Sequence, residues 1–490
     1  MKNILEDIYA CINTYSEKNA FFIQGRSYSY KELGDVISRI IPKIKTKNKC
    51  IGIIESDDIE TYASILAVLF TSNTYVILNP HNPLARNERI ISLTSIELIL
   101  SKEDNSLYRG LQWKYNCILT SGLNISRPLS LISAGDKDIA YILFTSGSTG
   151  TPKGVPISYS NLNTFYEGYS SLGFKLGAED RMLQMFDLSF DVSVVSTLYP
   201  LSIGASVYTV PLDAVKYTAV YEMLEDERIT FAAIPPSILT LLRAYFSEIS
   251  LPDLKYLILT AEASLVEIIK EFVPSVPNAQ IVNLYGPSEG TIYCSSYFLN
   301  KNKIKDYNGM LAIGKIFPNM YSKIISEKDT ILPNGEKGEL CICGEQVMNA
   351  YWQDVEKTDQ AFVFIDEKKY YRTGDLCYED QDGDILYCGR KDHQVQLNGF
   401  RVELSEIEHF VRQVHTKGNC VVLPVSNING SLELHLILEY YMGEDGDLFK
   451  ILKENLPQYM QPKRIHKLGE FPLNTSGKID RTKLKLMIKE

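Results

Sequence analysis

A chain of 490 residues is too long for one hydrophobic core, so two or more domains are expected. Its composition, 45% hydrophobic and 22% charged, is that of a globular enzyme, and its net charge of −10, with no basic cluster to offset it, argues against a nucleic-acid partner. No apolar run is long enough to span a bilayer, and the N-terminal stretch carries Glu6 and Asp7 where a secretory signal would not, so no membrane partner is expected. The nine cysteines are odd in number and follow no framework of spacings, which favours reduced thiols in a cytoplasmic protein. Cys341 and Cys343 share one face of an alternating strand, without further ligands for a metal or redox role.

In chain order, residues 1–50 read as a helix, a small hairpin (20–23 and 27–30 around Gln24-Gly25-Arg26) and a second helix from Lys31. Residues 51–54 form a short buried strand, 59–71 an apolar helix of 3.6-residue period, and 75–80 a strand and turn. Next comes Tyr141-Ile-Leu-Phe-Thr-Ser-Gly-Ser-Thr-Gly-Thr-Pro-Lys-Gly-Val155, which opens as a strand and becomes small, hydroxylated and glycine-rich. Gly147 and Gly150 permit backbone conformations closed to other residues. Thr145, Ser146, Ser148, Thr149 and Thr151 supply hydroxyls, and Lys153 a positive charge. Together they suit the phosphates of a nucleotide. The loop is not a Walker loop, which would need glycine at Pro152. The alternative, a flexible Ser/Gly linker, would need neither the strand before it nor the lysine after Pro152.

Residues 158–169 read as a helix capped by Ser158 or Ser160. Strands at 205–210, 231–234 and 256–259 then alternate with helices near 215–227 and 237–247, the pattern of parallel α/β layers. From about residue 310 short strands and turns imply a small β-rich subdomain. A boundary falls at Gly389-Arg390-Lys391-Asp392. Beyond it, helices at 405–411 and 448–456 and strands at 419–423 and 434–438 describe a compact α+β unit. The expected fold is therefore α/β, with a large domain at 1–391 and a small one at 392–490.

The loop at 141–155 resembles the signature of the ANL superfamily of adenylate-forming enzymes, and further motifs follow in that family's order over nearly the whole chain. Early ones are Ser29-Tyr-Lys-Glu-Leu33 and Tyr75-Val-Ile-Leu-Asn-Pro80, while Ser72 and Asn73 depart from the two small residues usual before the latter. The resemblance implies that Thr145, Ser146, Gly147, Ser148, Thr149, Gly150 and Lys153 bind ATP. In Val282-Asn-Leu-Tyr-Gly-Pro-Ser-Glu-Gly-Thr291, Tyr285 would offer its face to adenine and Asn283 read its edge, with Gly286 and Ser288 in the same turn. Glu289 is the hard oxygen ligand a Mg2+ ion on the triphosphate would need. Tyr371-Arg-Thr-Gly-Asp-Leu376 resembles the ribose site, where Asp375 would accept both hydroxyls. Arg390 would lie near ribose or phosphate, and Asp392 would be a hinge for a mobile C-terminal lid. Asn474-Thr-Ser-Gly-Lys-Ile-Asp-Arg481 resembles the loop that carries the catalytic lysine, here Lys478, which would stabilise charge developing at the α-phosphate. Gln396 stands where the family often has lysine, which puts in doubt a contact in the thiol step.

Amino-acid activators of this superfamily pair an aspartate with the substrate ammonium. Two copies of one pattern, Phe186-Asp187-Leu-Ser189 and Phe190-Asp191-Val-Ser193, offer candidates; counting from Gln184 favours Asp191 and leaves Asp187 as the alternative. The remaining pocket positions carry over to Val192, Val195, Ala233, Ile258, Thr260, Leu284, Ile292 and Tyr293, mostly aliphatic and without a second charge. For Ile258 and Leu284 taken singly, a plain core role is the favoured reading. The expected substrate is a small or medium uncharged amino acid such as alanine, proline, serine or valine. The expected partner is a separate carrier protein whose phosphopantetheine thiol receives it. An acyl- or aryl-CoA ligase is the alternative, separated from this reading by the role of Asp191.

Overall fold

The computed structural model describes residues 3–124, 127–145, 152–211, 214–391, 394–397, 399–416, 418–427, 430–441, 443, 445–473 and 479–488. Two large sheets form the N-terminal part. One has six strands, ordered Asn116–Leu119, Leu98–Ser101, Cys50–Ile54, Thr74–Leu78, Ile139–Thr145 and Lys153–Ser158, parallel except for the last. In the other, Gln280–Tyr285, Tyr256–Leu259, Phe231–Ile234, Arg181–Gln184, Ser206–Thr209 and Asn19–Ile23 run parallel in that order, with antiparallel strands at both edges. Parallel strands buried on both faces should be continuously apolar rather than alternating, and Thr74–Leu78 and Phe231–Ile234 are buried throughout.

Most elements follow their local signals. The helix Tyr159–Ser170 starts in a capping box between Ser158 and Asn161, which satisfies two backbone donors at once. The strand Lys153–Ser158 is new. Pro152, Gly154 and Pro156 disguise it, and Pro156 is tolerated because this strand is the edge of its sheet, where a missing N–H costs no ladder bond. The strands Ile139–Thr145 and Lys153–Ser158 are thus antiparallel neighbours, with Thr145 opposite Lys153. The helix expected at 237–247 is shorter: it spans Pro236–Leu242 and tightens into a 3-10 turn at Arg243–Tyr245, where Arg243 reaches out to Glu267 and Glu271.

A five-stranded antiparallel sheet follows, built around the long strand Lys368–Glu379, which pairs with Gly338–Gly344 on one side and with Phe362–Ile365 and Ile385–Arg390 on the other. After Arg390 the chain makes a hairpin, Gln394–Leu397 with Phe400–Glu403, and then a three-stranded sheet flanked by the helices Leu404–Val414, Asp445–Asn455 and Arg481–Met487. This last part has its own buried cluster, including Val402, Ile407, Val411, Leu436 and Leu448. All nine cysteines are free. No helix among the described residues is long and apolar enough to cross a membrane.

Candidate active site

In open parallel sheets ligands collect beyond the carboxyl ends of the strands, and that is where the candidate residues converge. Thr260 follows the strand Tyr256–Leu259, Tyr285 ends Gln280–Tyr285, and Asp191 opens the helix Asp191–Ser202. They line a cavity of about 130 Å3 together with Val192, Asn283, Leu284, Gly286, Ser288, Ile292, Tyr293, Asp375 and Arg390. Val195, Ala233 and Ile258 do not line it. Val195 lies one turn further along its helix, and Ala233 and Ile258 face each other across neighbouring strands, all three in the core behind the cavity. The expectation that they form pocket walls is corrected on this point.

Of the two aspartate patterns, only the second opens onto the cavity. Asp187 is spent on its own turn, accepting hydrogen bonds from the backbone N–H of Ser189 at 2.9 Å and from the Asn79 amide at 2.5 Å. Asp191 sits at the N-terminus of its helix, where unpaired N–H groups favour an anion. Burial nevertheless dominates and pushes its carboxyl up to about 6, against hydrogen bonds from the Ser288 hydroxyl and the Val192 N–H.

On the opposite wall, Asp375 accepts hydrogen bonds from the Tyr285 hydroxyl and, at 2.9 Å, from Arg390 Nη1. The sheet register sets Asp375 directly across from Arg390. Burial raises the Asp375 carboxyl above its ordinary value while Arg390 and Tyr285 pull it down. The Asn283 carboxamide is engaged within the protein, donating to Ala312 O at 2.9 Å and accepting from Ser264 at 3.1 Å.

Glu289 is completely buried beside this cavity and is held by three groups. Lys153 Nζ lies 3.1 Å from Oε1, the Tyr351 hydroxyl donates to Oε1 at 2.7 Å, and Arg401 Nη1 donates to Oε2 at 3.1 Å. Burial alone would raise its carboxyl, but Arg401 and Lys153 overcome that and hold it far below the usual range. Lys153 is lowered, chiefly by burial, with Glu289 opposing.

The turn joining these walls is tightly built. A Cβ on Gly286 would come within 2.5 Å of Ile292 O and 2.7 Å of Tyr293 Cα, so only glycine fits. Ile292 itself, a β-branched residue, adopts φ 69°, and Thr291 adopts φ 59°, conformations that cost energy and persist where surrounding contacts impose them. Gln346 imposes them from the antiparallel part of the chain: its side-chain amide donates to Gly290 O at 2.8 Å and Tyr293 O at 2.7 Å, and its backbone carbonyl accepts from the Thr291 hydroxyl.

Gln346, Tyr351 and Arg401 had no motif to announce them; the single signal for Arg401 is its charge within the short strand Phe400–Glu403. Ser146, Gly147, Ser148, Thr149, Gly150, Asp392 and Lys478 lie outside the described residues. Thr145 Oγ1 is buried and has no hydrogen-bond partner among the described residues. Among the described residues no cluster of three or more His, Cys, Asp or Glu side chains could cage a metal. A cation here would rely on Glu289 plus oxygens from a nucleotide, which is how magnesium is commonly held.

A second cavity of about 400 Å3 adjoins the first, sharing Glu262, Ala263, Tyr387, Arg390 and Gln396 with it, and reaches outward past Leu265 and Leu432.

The family description "AMP-binding enzyme" matches residues 9–352. The D-alanine–D-alanyl carrier protein ligase of Bacillus velezensis is 30% identical over 513 residues, covering 98% of both chains. Bacitracin synthase 3 of Bacillus licheniformis is 29% identical over 95% of this chain, which spans only 7% of that synthase's length. In three dimensions, a Vibrio cholerae adenylation domain crystallised with glycyl-adenosine-5'-phosphate superposes with a TM-score of 0.88 at 24% identity, covering 99% of this chain and 97% of that one. The chain therefore belongs to the AMP-binding enzymes of the adenylate-forming ANL superfamily.

Proposed function

We propose that this chain activates an amino acid with ATP and passes it to the phosphopantetheine thiol of a separate carrier protein. The observation that carries the reading is one cavity in which Asp191 faces Tyr285 and Asp375. A nucleotide stacked on Tyr285, with its ribose hydroxyls on Asp375, would leave Asp191 to take the substrate's ammonium group. A carboxylate oxygen of the amino acid then attacks the α-phosphorus, the bond to the β-phosphate oxygen breaks, and pyrophosphate leaves. Lys478 is proposed to meet the negative charge gathering on the α-phosphate oxygens. Bound Mg2+ would neutralise phosphate charge; Glu289 is the residue proposed to hold it.

In the second half-reaction the carrier thiolate attacks the aminoacyl carbonyl and AMP leaves. The second cavity supports this step, because it adjoins the first and reaches outward past Leu265 and Leu432, a route for a thiol on a long arm. We assign residues 1–391 to an adenylation core and 392–490 to a lid pivoting at Asp392. The closeness of Ile292 and Tyr293 to Asp191 favours a small uncharged side chain, of the size of alanine, proline, serine or valine. The ligase named in Bacillus velezensis acts with a carrier protein, which supports the same choice of partner here. A coenzyme A ligase is the second reading, since a thiol ending in coenzyme A would use the same route. Pyrophosphate exchange with each amino acid, compared with aryl and fatty acids, separates the two.

A further inference from the structure

We propose that Glu55 is a positioning residue for substrate recognition, whose buried carboxyl group fixes the turn at residues 187–190 and so sets Asp191 in the cavity. The inference rests on the reading of Asp191 as the partner of the substrate's ammonium group. The helix Asp191–Ser202 begins without a side-chain cap, so the place of its first residue depends on the turn before it. Four side chains hold the approach to that helix. Gln184 Nε2 donates to Phe186 O at 2.7 Å, and Lys216 Nζ donates to Met185 O at 2.6 Å. Asn79 donates to Asp187, and the Leu188 N–H donates to Glu55 Oε1 at 2.7 Å. Glu55 follows the strand Cys50–Ile54 of the six-stranded sheet, so it ties that sheet to a turn that follows Arg181–Gln184 in the other.

Glu55 is 2% exposed, and no donor among the described residues reaches its Oε2. The titratable groups around it are Asp187 on the turn, Asp57 two residues on, Tyr62 on the helix Ile59–Phe70 and Lys216 at the start of the helix Lys216–Asp226. Burial and the Asp187 carboxylate, to which it hydrogen-bonds, push the Glu55 carboxyl well up, against the Leu188 N–H and Lys216. Lys216 does not neutralise the pair by itself, because burial lowers it and Asp57 shares its charge. Two carboxyl groups in contact inside a protein do not both ionise, so they hold one proton between them. It sits on the otherwise unmatched Oε2 and is donated to Asp187. Glu55 then accepts from Leu188 and donates to the residue before it, which pins the turn at two adjacent points. The ionised form would set two negative charges against each other and push the turn away from the strand.

The test is ATP–pyrophosphate exchange by the full chain, with the amino acid that drives it best, in Glu55→Ala and Glu55→Gln. Glu55→Ala should raise KM for the amino acid about tenfold or more, the scale of a buried polar group left unmatched, with KM for ATP unmoved. Glu55→Gln should restore most of that loss, because its amide accepts from Leu188 and donates to Asp187 with no proton to lose. The infrared spectrum of the parent at neutral pH should show a protonated-carboxyl stretch that Glu55→Gln lacks. The folded parent holds this proton more tightly than its unfolded chain, so the stability it contributes at low pH is lost as pH rises. The unfolding midpoint of Glu55→Gln should therefore gain on the parent's between about pH 5 and about pH 8. If Glu55→Ala does not fold, Glu55→Asp, which withdraws the carboxyl by one methylene, takes its place with the same expected rise. A glutamine variant as impaired as the alanine one, or a parent spectrum without the band, would overturn the proposal, as would equal losses for both substrates. An amino-acid KM unmoved by Glu55→Ala, where Asp191→Ala abolishes activation, would overturn it alone. Exchange retained in Asp191→Ala would instead remove the reading of Asp191, and this proposal with it.

Discussion

Arg86, on the helix Leu84–Thr94, and Glu406, on the helix Leu404–Val414, form a 2.8 Å ion pair that joins the N-terminal part to the C-terminal unit with side chains only 6% and 0% exposed. Beside it Phe400 stacks on Tyr459 at 4.1 Å between ring centres and meets Phe190 edge-on at 4.8 Å. Phe190 immediately precedes Asp191 and also lines the active-site cavity, so the seating of the C-terminal unit and the shape of the substrate pocket share a residue.

Removing one member of such a buried pair typically costs about 3–5 kcal/mol, because the remaining charge keeps its burial and loses its partner. Arg86→Ala should therefore lower the thermal unfolding midpoint and split the C-terminal unit into an earlier transition in calorimetry. Replacing both residues with Met and Leu should restore most of the loss. A single-variant midpoint equal to the parent's would show that the pair does not hold the two parts together.

Asp191 predicts a pH dependence. Its carboxyl titrates near 6 in the empty pocket, and only the ionised form attracts an ammonium group. Amino-acid affinity should thus be weak at pH 5, rise through about pH 6 and level off above it. KM for the amino acid should fall accordingly while KM for ATP moves little. The same raised pKa lowers stability as pH climbs from the unfolded value toward 6, since the folded state holds the proton more tightly. Asp191→Asn should flatten the low-pH limb of the amino-acid profile; an unaltered limb would assign it to another group.

Gly286→Ala should damage nucleotide binding more than folding. The added methyl meets backbone atoms at 2.5 and 2.7 Å, which can yield only by shifting the Ile292–Tyr293 segment. Equilibrium binding of ATP to the variant, with circular dichroism to confirm its fold, checks this; unchanged affinity would mean the turn is not part of the nucleotide site.

How much of this site could be read from the chain depends on the distance over which each residue acts. Tyr285, Gly286, Ser288 and Glu289 fall within one turn, so a single local string is enough to resemble the family's nucleotide-binding turn. Counting favours Asp191 over Asp187, and the structure adds a geometric difference between them: Asp187 accepts from Ser189 and Asn79, whereas Asp191 lines the cavity. Gln346 and Tyr351 act on residues 53–62 positions away, and nothing in their own neighbourhood marks them. Val195, Ala233 and Ile258 show the converse. They have the apolar character of pocket walls, but apolar character does not distinguish a wall from the core behind it. The strand Lys153–Ser158 escaped notice because Pro152 just before it and Gly154 and Pro156 within it argue against a strand unless its edge position is known.

Lys478→Ala should leave ATP binding nearly intact and reduce adenylate formation by orders of magnitude, because a charge that meets the transition state more than the ground state acts on rate rather than affinity. Single-turnover adenylate formation read alongside ATP affinity tests it; parallel losses in both would place Lys478 in ground-state binding.

The most direct test of the central claim is ATP–pyrophosphate exchange by the purified chain, measured across all amino acids and a panel of aryl and fatty acids, with Asp191→Ala alongside. The account predicts that one small uncharged amino acid drives exchange best and that Asp191→Ala abolishes it, a loss of about 3–5 kcal/mol for a desolvated charge pair left unmatched. Exchange driven best by an acid lacking an α-amino group, and retained in Asp191→Ala, would contradict it.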